Sequence, residues 1–311
     1  MKVLVQDIIS FLSDAVLRVE GNANDVYVDN VADPAHTTET TLDWVNSLKT
    51  NKQDIAENTC AKVVIADSEV LYSEAMMKAG KTLIVVKHPR MALAKVINEF
   101  FFPKPAPGIH PRAWVDPDAV IAPTAHIEAG CSIGKAKIGS GTVIRANVVV
   151  YDDVEIGDNC LIQAGAVIGT DGLGCNREED GTLIKFPHMG GIKIGNNVEI
   201  GANCQIAKGV LSDTIIKDGC KMNGLSFIAH NCVLEENVWI TGDTMLCGST
   251  HVGKNATIFS NVIVREQSQI GAGSIIGMGS VVTKNVPEGE TWFGAPAQSY
   301  ERSYSANMHH T

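Results

Sequence analysis

Aliphatic residues stand six apart at Met222, Ile228, Leu234, Ile240, Leu246, Val252, Ile258, Val264, Ile270, Ile276 and Val282. The same spacing runs through Val115, Ile121, Ile127 and Ile133, slips by one residue to Ile138, and resumes at Ile144, Val150, Ile156, Ile162 and Ile168. A shorter block holds Ile194, Ile200 and Ile206. Gly often follows the aliphatic position, and Ser, Thr, Ala, Val or Cys fills the slot four after it. A period of six matches neither an amphipathic helix nor an alternating strand. It predicts a short strand and a tight turn, repeated, with Gly or Asn taking the turn in IGNN, IGAN and IGDN. Coils of this kind stack into a parallel β-helix around one apolar column. The period alone leaves the handedness open.

Two breaks interrupt the register. Gly169 to Lys193, GTDGLGCNREEDGTLIKFPHMGGIK, must leave the column as a loop, and long loops on regular scaffolds are frequently functional. A four-residue excess between Ile206 and Ile216 predicts a smaller bulge.

The first hundred residues have another grammar. AKVVIAD (61–67) and KTLIVVKHP (81–89) predict buried strands, and SEVLYSEAMMKAG (68–80) and PRMALAKVINEFF (89–101) predict helices, the first with Ser68 as N-cap. FFPKPAPGIHP (101–111), with four prolines, reads as a linker. The expected organisation is a small α/β domain over 1–103, a β-helix over 104–290 with a protruding loop at 169–193, and a short tail over 291–311 that ends polar and frayed.

Composition narrows the function classes. The 311 residues carry 35 acidic and 25 basic side chains, a net charge of −10, which argues against a phosphate-tracking nucleic-acid binder. No apolar run reaches the roughly 18–20 residues of a membrane-spanning helix. The start, MKVLVQDIISFLSDAVLRVEG, is a poor signal peptide, so a cytoplasmic protein is expected. The eight cysteines contain no CxxC pair, and Cys131, Cys160, Cys204, Cys220 and Cys232 recur in the small-residue slot of the repeat. They read as reduced packing residues and not as disulfides or zinc ligands.

The hexapeptide pattern resembles the left-handed β-helix acyltransferases, and VVTKNVPEGETWFGAPA is similar to the segment that ends the helix in many acetyl-CoA-dependent members. The two-domain layout, with IGTDGLG (168–174), FPHMGG (186–191), IGANCQIAKG (200–209), LSDTIIKDGCKMNGLSFIAHN (211–231) and LCGST (246–250), resembles the UDP-3-O-acylglucosamine N-acyltransferases of lipid A biosynthesis. The resemblance implies a mainly β, left-handed helix in a homotrimer, with active sites between neighbouring chains. It implies His230 of IAHN as general base and Gly248, eighteen residues on, as a backbone donor to the thioester oxygen. It makes 1–103 a nucleotide-sugar-binding domain in which Trp44 stacks on the base, while a second aromatic of that pocket falls on Thr50. There are three departures. The second active-site histidine of the family aligns with Gln267, an aspartate before IAHN aligns with Asn223, and the chain stops short of a C-terminal helical extension that helps dock acyl carrier protein. These favour acetyl-CoA or another short acyl-CoA as donor and a nucleotide-linked amino sugar of a surface polysaccharide such as O-antigen as acceptor, with UDP or dTDP preferred to GDP. The lipid A enzyme, using a hydroxyacyl carrier protein, is the alternative.

Amide formation needs an amine to attack a thioester and a group to take the released proton, which a histidine can do near neutral pH without a covalent nucleophile. Asp213 and Asp243 are candidates to orient the imidazole. Asn223, Asn231, His188 and Gln267 are candidate substrate contacts, His188 reading equally as loop packing. Lys284 reads as a solvated lysine or a phosphate contact, and Gly294 with Ala295 as a plain turn or a donor contact. His251 reads as a solvated surface residue. A metalloenzyme on the same scaffold would need three converging histidines, and His230, His251, His188, His126 and His110 lack the close pair, so no metal is expected. A non-catalytic scaffold would not need intact IAHN and LCGST segments.

Overall fold

The computed structural model describes residues 2–299, and the chain divides into two compact units at Lys104. In the second unit each coil lays one short strand on each of three faces, so registers advance by three hexapeptides. Met222 pairs with Ile240 and Ile240 with Ile258, Ile228 with Leu246, and Leu234 with Val252. Among the described residues the faces hold eleven, nine and eight strands. Within these three faces pairing is parallel except at the close, where Trp292 faces Ser299 in an antiparallel pair.

The repeat explains this directly. In a two-residue strand the second side chain points inward, and Ile133, Ile144, Ile162, Ile168, Ile200, Ile206, Ile228 and Ile240 are all fully buried. Each such burial is worth about 1.5–3 kcal/mol. The corners require a left-handed residue, and Asn231, Asn237, Asn255 and Asn261 supply it with φ of 58–59°.

The five cysteines of the small-residue slot are all buried. Burial pushes the Cys220 thiol up to about 11 and the Cys232 thiol up to about 12, so neither forms thiolate at neutral pH. Iodoacetamide on the folded protein is therefore expected to modify exposed Cys60 and Cys175 and to spare these five. Peptide mass spectrometry reads this, and Cys232 labelled as fast as Cys175 would contradict it.

Several boundaries differ from the expectation. The solenoid extends past residue 290, since Thr291–Phe293 pairs with Ile275–Ile276. The linker is shorter than 101–111, because Ile97–Phe101 completes a helical turn and Gly108–Ile109 already pairs with His126–Ile127. The frayed end expected for the tail falls mostly on residues 300–311, outside the described residues. The excursion begins after Thr170 and ends before Ile192, both in strands, and contains an antiparallel hairpin of Gly174–Arg177 with Leu183–Phe186.

The first unit is a four-stranded sheet in the order Val16–Glu20, Thr82–Val86, Val63–Ala66, Leu42–Trp44, with the last three parallel. Val63 and Ile65 pack on one face with helices Val5–Leu12 and Pro89–Val96, and Val64 and Ala66 on the other with Met76. The helix expected from Ser68 spans only Glu74–Lys78, and its cap is Ser73, whose hydroxyl accepts the Met76 N–H. Residues 68–70 turn instead, with the Asp67 carboxylate accepting the Glu69 N–H and its carbonyl the Val70 N–H.

Candidate active site

The edge between the nine- and eight-stranded faces gathers the candidate chemistry. Ile228, Leu246, Val264 and Val282 are in register across four coils. The residues two beyond each therefore stack as His230, Gly248, Glu266 and Lys284. At about 4.8 Å per rung, Lys284 lies about 14 Å along this edge from His230.

His230 is half-buried and lies flat against Gly248. A Cβ added there would sit 2.6 Å from both Cε1 and Nε2 of the imidazole. Among the described residues the Gly248 N–H makes no hydrogen bond, which leaves a backbone donor beside the imidazole. His230 Nδ1 lies 3.1 Å from Asn231 Oδ1. The Asn231 amide cannot be turned round, because Oδ1 accepts the Val210 N–H at 3.0 Å and Nδ2 donates to the Ser212 carbonyl at 2.9 Å. Oδ1 is therefore an acceptor toward the ring, so Nδ1 carries the hydrogen and the Nε2 lone pair is free.

Both breaks in the repeat converge on this histidine. The bulge, residues 208–213, supplies the groups that hold Asn231, the Ser212 hydroxyl at 3.0 Å among them. The root of the excursion is bonded to the same bulge, by Met189 N–H to the Val210 carbonyl at 2.6 Å and Gly190 N–H to the Gly209 carbonyl at 3.1 Å. Asp171 bridges Lys185 of the hairpin and Lys208 at 2.9 and 3.2 Å, and these two ammonium groups hold its carboxyl below the usual range. His188, only 3% exposed, places its ring edge-to-face with His230, centroids 5.2 Å apart.

Asn231 thus does what had been expected of an aspartate. Asp213 accepts the Gly191 N–H and pairs with Lys193, and Asp243 occupies a different corner, so neither orients the imidazole. Replacing Asn231 by Gly keeps a residue suited to φ 58° and removes the Nδ1 acceptor. A fall in kcat of about ten- to a hundredfold is expected, and an unchanged kcat would show that the tautomer needs no such support.

The remaining candidates are spread more widely. Gln267 is exposed on the His230 edge, with its N–H on the Gly248 carbonyl at 2.9 Å. Asn223 follows the eleven-stranded face, on another edge of the prism, so a single chain does not bring it to His230. Lys284 and Gly294 flank the strand Val281–Val282 at opposite ends, Gly294 accepting the Val281 N–H, and Ala295 is exposed beside it. His251 bonds Gln269 and Glu235 at 2.9 and 3.0 Å. Trp44 ends an edge strand of the first unit and packs in part against that unit's core, while Thr50 is exposed. Among the described residues no three His, Cys, Asp or Glu side chains are grouped to hold a metal.

Glu266, on the rung between Gly248 and Lys284, is not singled out by the sequence motifs, although a second step of eighteen residues from His230 reaches it. Thr214 escaped it too. Its buried hydroxyl accepts the Asn231 N–H at 2.9 Å and donates to the Ala207 carbonyl at 2.8 Å, a link across the bulge that no local pattern signals.

Residues 135–170 and 249–284 match the family model described as bacterial transferase hexapeptide (six repeats), and residues 191–221 that of the hexapeptide repeat of succinyl-transferase. The UDP-3-O-acylglucosamine N-acyltransferase of Coxiella burnetii is 34% identical over 253 residues, covering 75% of this chain and 71% of that protein. Its namesake from Bordetella pertussis is 31% identical over 268 residues, 78% of this chain and 74% of that one. Among solved structures, the UDP-N-acetylglucosamine O-acyltransferase of Moraxella catarrhalis superposes with a TM-score of 0.57 at 26% identity, covering 62% of this chain and 73% of its own.

Proposed function

We propose, from the premise that this chain belongs to the UDP-3-O-acylglucosamine N-acyltransferase family of hexapeptide-repeat acyltransferases, that it moves a 3-hydroxyacyl group from acyl carrier protein to the amine of a UDP-3-O-acylglucosamine. The acetyl-CoA reading gives way to this one because the relatives are named for N-acylation of UDP-3-O-acylglucosamine, the acceptor of the alternative reading.

The observation that carries the reading is the free Nε2 of His230 lying against Gly248. The acceptor amine attacks the thioester carbon, Nε2 takes its proton, and the Gly248 N–H stabilises the oxyanion. As the C–S bond breaks, the proton returns to the sulfur, leaving an amide and the carrier thiol. Lys284, three rungs along the same edge, would meet the phosphate of the donor's pantetheine arm.

A homotrimer is part of the proposal. The nine-stranded face turns Phe227, Met245, Ile263 and Val281 outward, an apolar stripe beside the His230 edge. Three such faces packed about an axis would bury it and bring residues of other edges, such as Asn223, to a neighbour's His230. Gln267 on the same edge and Trp44 in the first unit are the further acceptor contacts proposed. No helix among the described residues is long and apolar enough to cross a membrane, and a cytoplasmic enzyme is proposed.

The test offers 3-hydroxyacyl carrier protein and acetyl-CoA in parallel to UDP-3-O-acylglucosamine and to a panel of UDP- and dTDP-amino sugars, with mass spectrometry of the products. N-acylation of UDP-3-O-acylglucosamine from the carrier protein supports the proposal. Transfer from acetyl-CoA alone would overturn it and restore the short-chain donor.

A further inference from the structure

His188 presents a feature that loop packing does not require. It is buried, its Nδ1 lies 3.2 Å from the Phe186 carbonyl, and its Nε2 has no hydrogen-bond partner. The Phe186 carbonyl can only accept, so Nδ1 carries the hydrogen and Nε2 is a buried, unpaired acceptor. Leaving such a group unsatisfied costs about 1–3 kcal/mol, and the role inferred below uses the ring and not this nitrogen. The backbone is shaped to admit the ring, since a Cβ on Gly172 would lie 2.5 Å from Nε2. The ring then stands at 76° to that of His230.

We propose that His188 is a positioning residue for the base, its ring packed edge-to-face on the His230 imidazole and holding it against Gly248. The inference rests on the reading of His230 as the base. Asn231 fixes the Nδ1 end of the ring, and Gly248 provides the surface beside Cε1 and Nε2. Neither stops the imidazole from swinging outward on its side-chain torsions, and the edge-to-face contact does. Burial also pushes His188 below the ordinary histidine range, so it stays neutral and sets no second positive charge beside the ring that must accept a proton. Around His188 the charged and titratable groups are His230, Asp171 and Lys185, with Lys208 held by Asp171. The excursion is thereby part of the acyl-transfer machinery: its root is clamped to the bulge that holds Asn231, and its one buried side chain holds the base.

Three variants separate this from a structural or a substrate-binding role. His188→Phe keeps a ring of similar shape without either nitrogen, His188→Leu fills the volume without a ring, and His188→Ala empties it. Steady-state kinetics with 3-hydroxyacyl carrier protein and UDP-3-O-acylglucosamine are expected to show kcat about ten- to a hundredfold lower in the Leu and Ala variants, with KM for both substrates within about twofold of wild type. His188→Phe is expected to recover kcat to within about threefold, and melting temperatures identify any variant that fails to fold. Equal kcat in the Leu and Phe variants would overturn the proposal, as would a His188→Phe enzyme as impaired as His188→Ala with a raised acceptor KM, which would make the nitrogens substrate contacts. His230→Ala in the same assay separates the two readings. If it remains active, the base assignment has failed; if it is inactive while His188→Leu is unimpaired, only the present inference has.

Discussion

His230→Ala is expected to lower kcat by about 10²- to 10⁴-fold, the range a positioned general base contributes, and to leave the fold intact. The amine cannot complete its attack while it holds its proton, and among the described residues no other side chain offers a free acceptor against Gly248 at this point of the edge. His188, 5.2 Å away between ring centroids, has its own lone pair buried beneath Gly172. Residual turnover would come from binding and from the Gly248 N–H. Folding should survive because the coil is held by its backbone, with Ala229 N–H on the Leu246 carbonyl and Ser249 N–H on the His230 carbonyl. The side chain itself contributes one hydrogen bond, to Asn231. Purified variant and wild type compared by kcat, and by melting temperature as control, check this. More than a tenth of wild-type turnover in a folded variant would remove His230 from the role.

The parts of this protein that were legible in its sequence are those that repeat. Eleven aliphatic positions in register from Met222 to Val282 specify a strand of two residues, an inward side chain and a corner, and the fold follows because each coil can bury its apolar column only on the next. The same arithmetic placed Gly248 one coil beyond His230. What escaped it is aperiodic. The excursion after Thr170 could be marked as a departure, but its return to His230 depends on hydrogen bonds between residues 189–190 and 209–210, and no spacing rule encodes those. The sequence points to aspartates as the orienting partner because a carboxylate is the usual companion of a catalytic imidazole. Here an amide serves, made unambiguous by one backbone donor and one backbone acceptor of the bulge. In the first unit, Ser68 offered a plausible cap, yet Ser73 is the serine whose hydroxyl meets a helical N–H. Local propensity could not distinguish two serines five residues apart.

Gly248→Ala is the second substitution expected to have a large effect, and it isolates one cause. Gly248 lies outside the left-handed region of the backbone, so alanine meets no conformational penalty there, and the backbone N–H proposed for the oxyanion is unchanged. What changes is space. The new methyl would sit 2.6 Å from Cε1 and Nε2 and 3.2 Å from Nδ1 of His230, closer than carbon and nitrogen can approach, and those ring atoms are its nearest neighbours. The ring must therefore move away and take its lone pair with it, against the His188 contact. A displacement of about 1 Å is enough to cost about a hundredfold in rate. The expected result is a kcat about 10²-fold lower with a melting temperature within a few degrees of wild type, since the methyl presses on a half-exposed side chain and does not strain the column. The double variant decides the mechanism. If the methyl acts through the imidazole, adding Gly248→Ala to His230→Ala should cost nothing further, because the group it displaces is already gone. A full additional hundredfold loss in the double variant would mean that the methyl blocks the thioester itself, and that Gly248 is kept small for the substrate and not for the base.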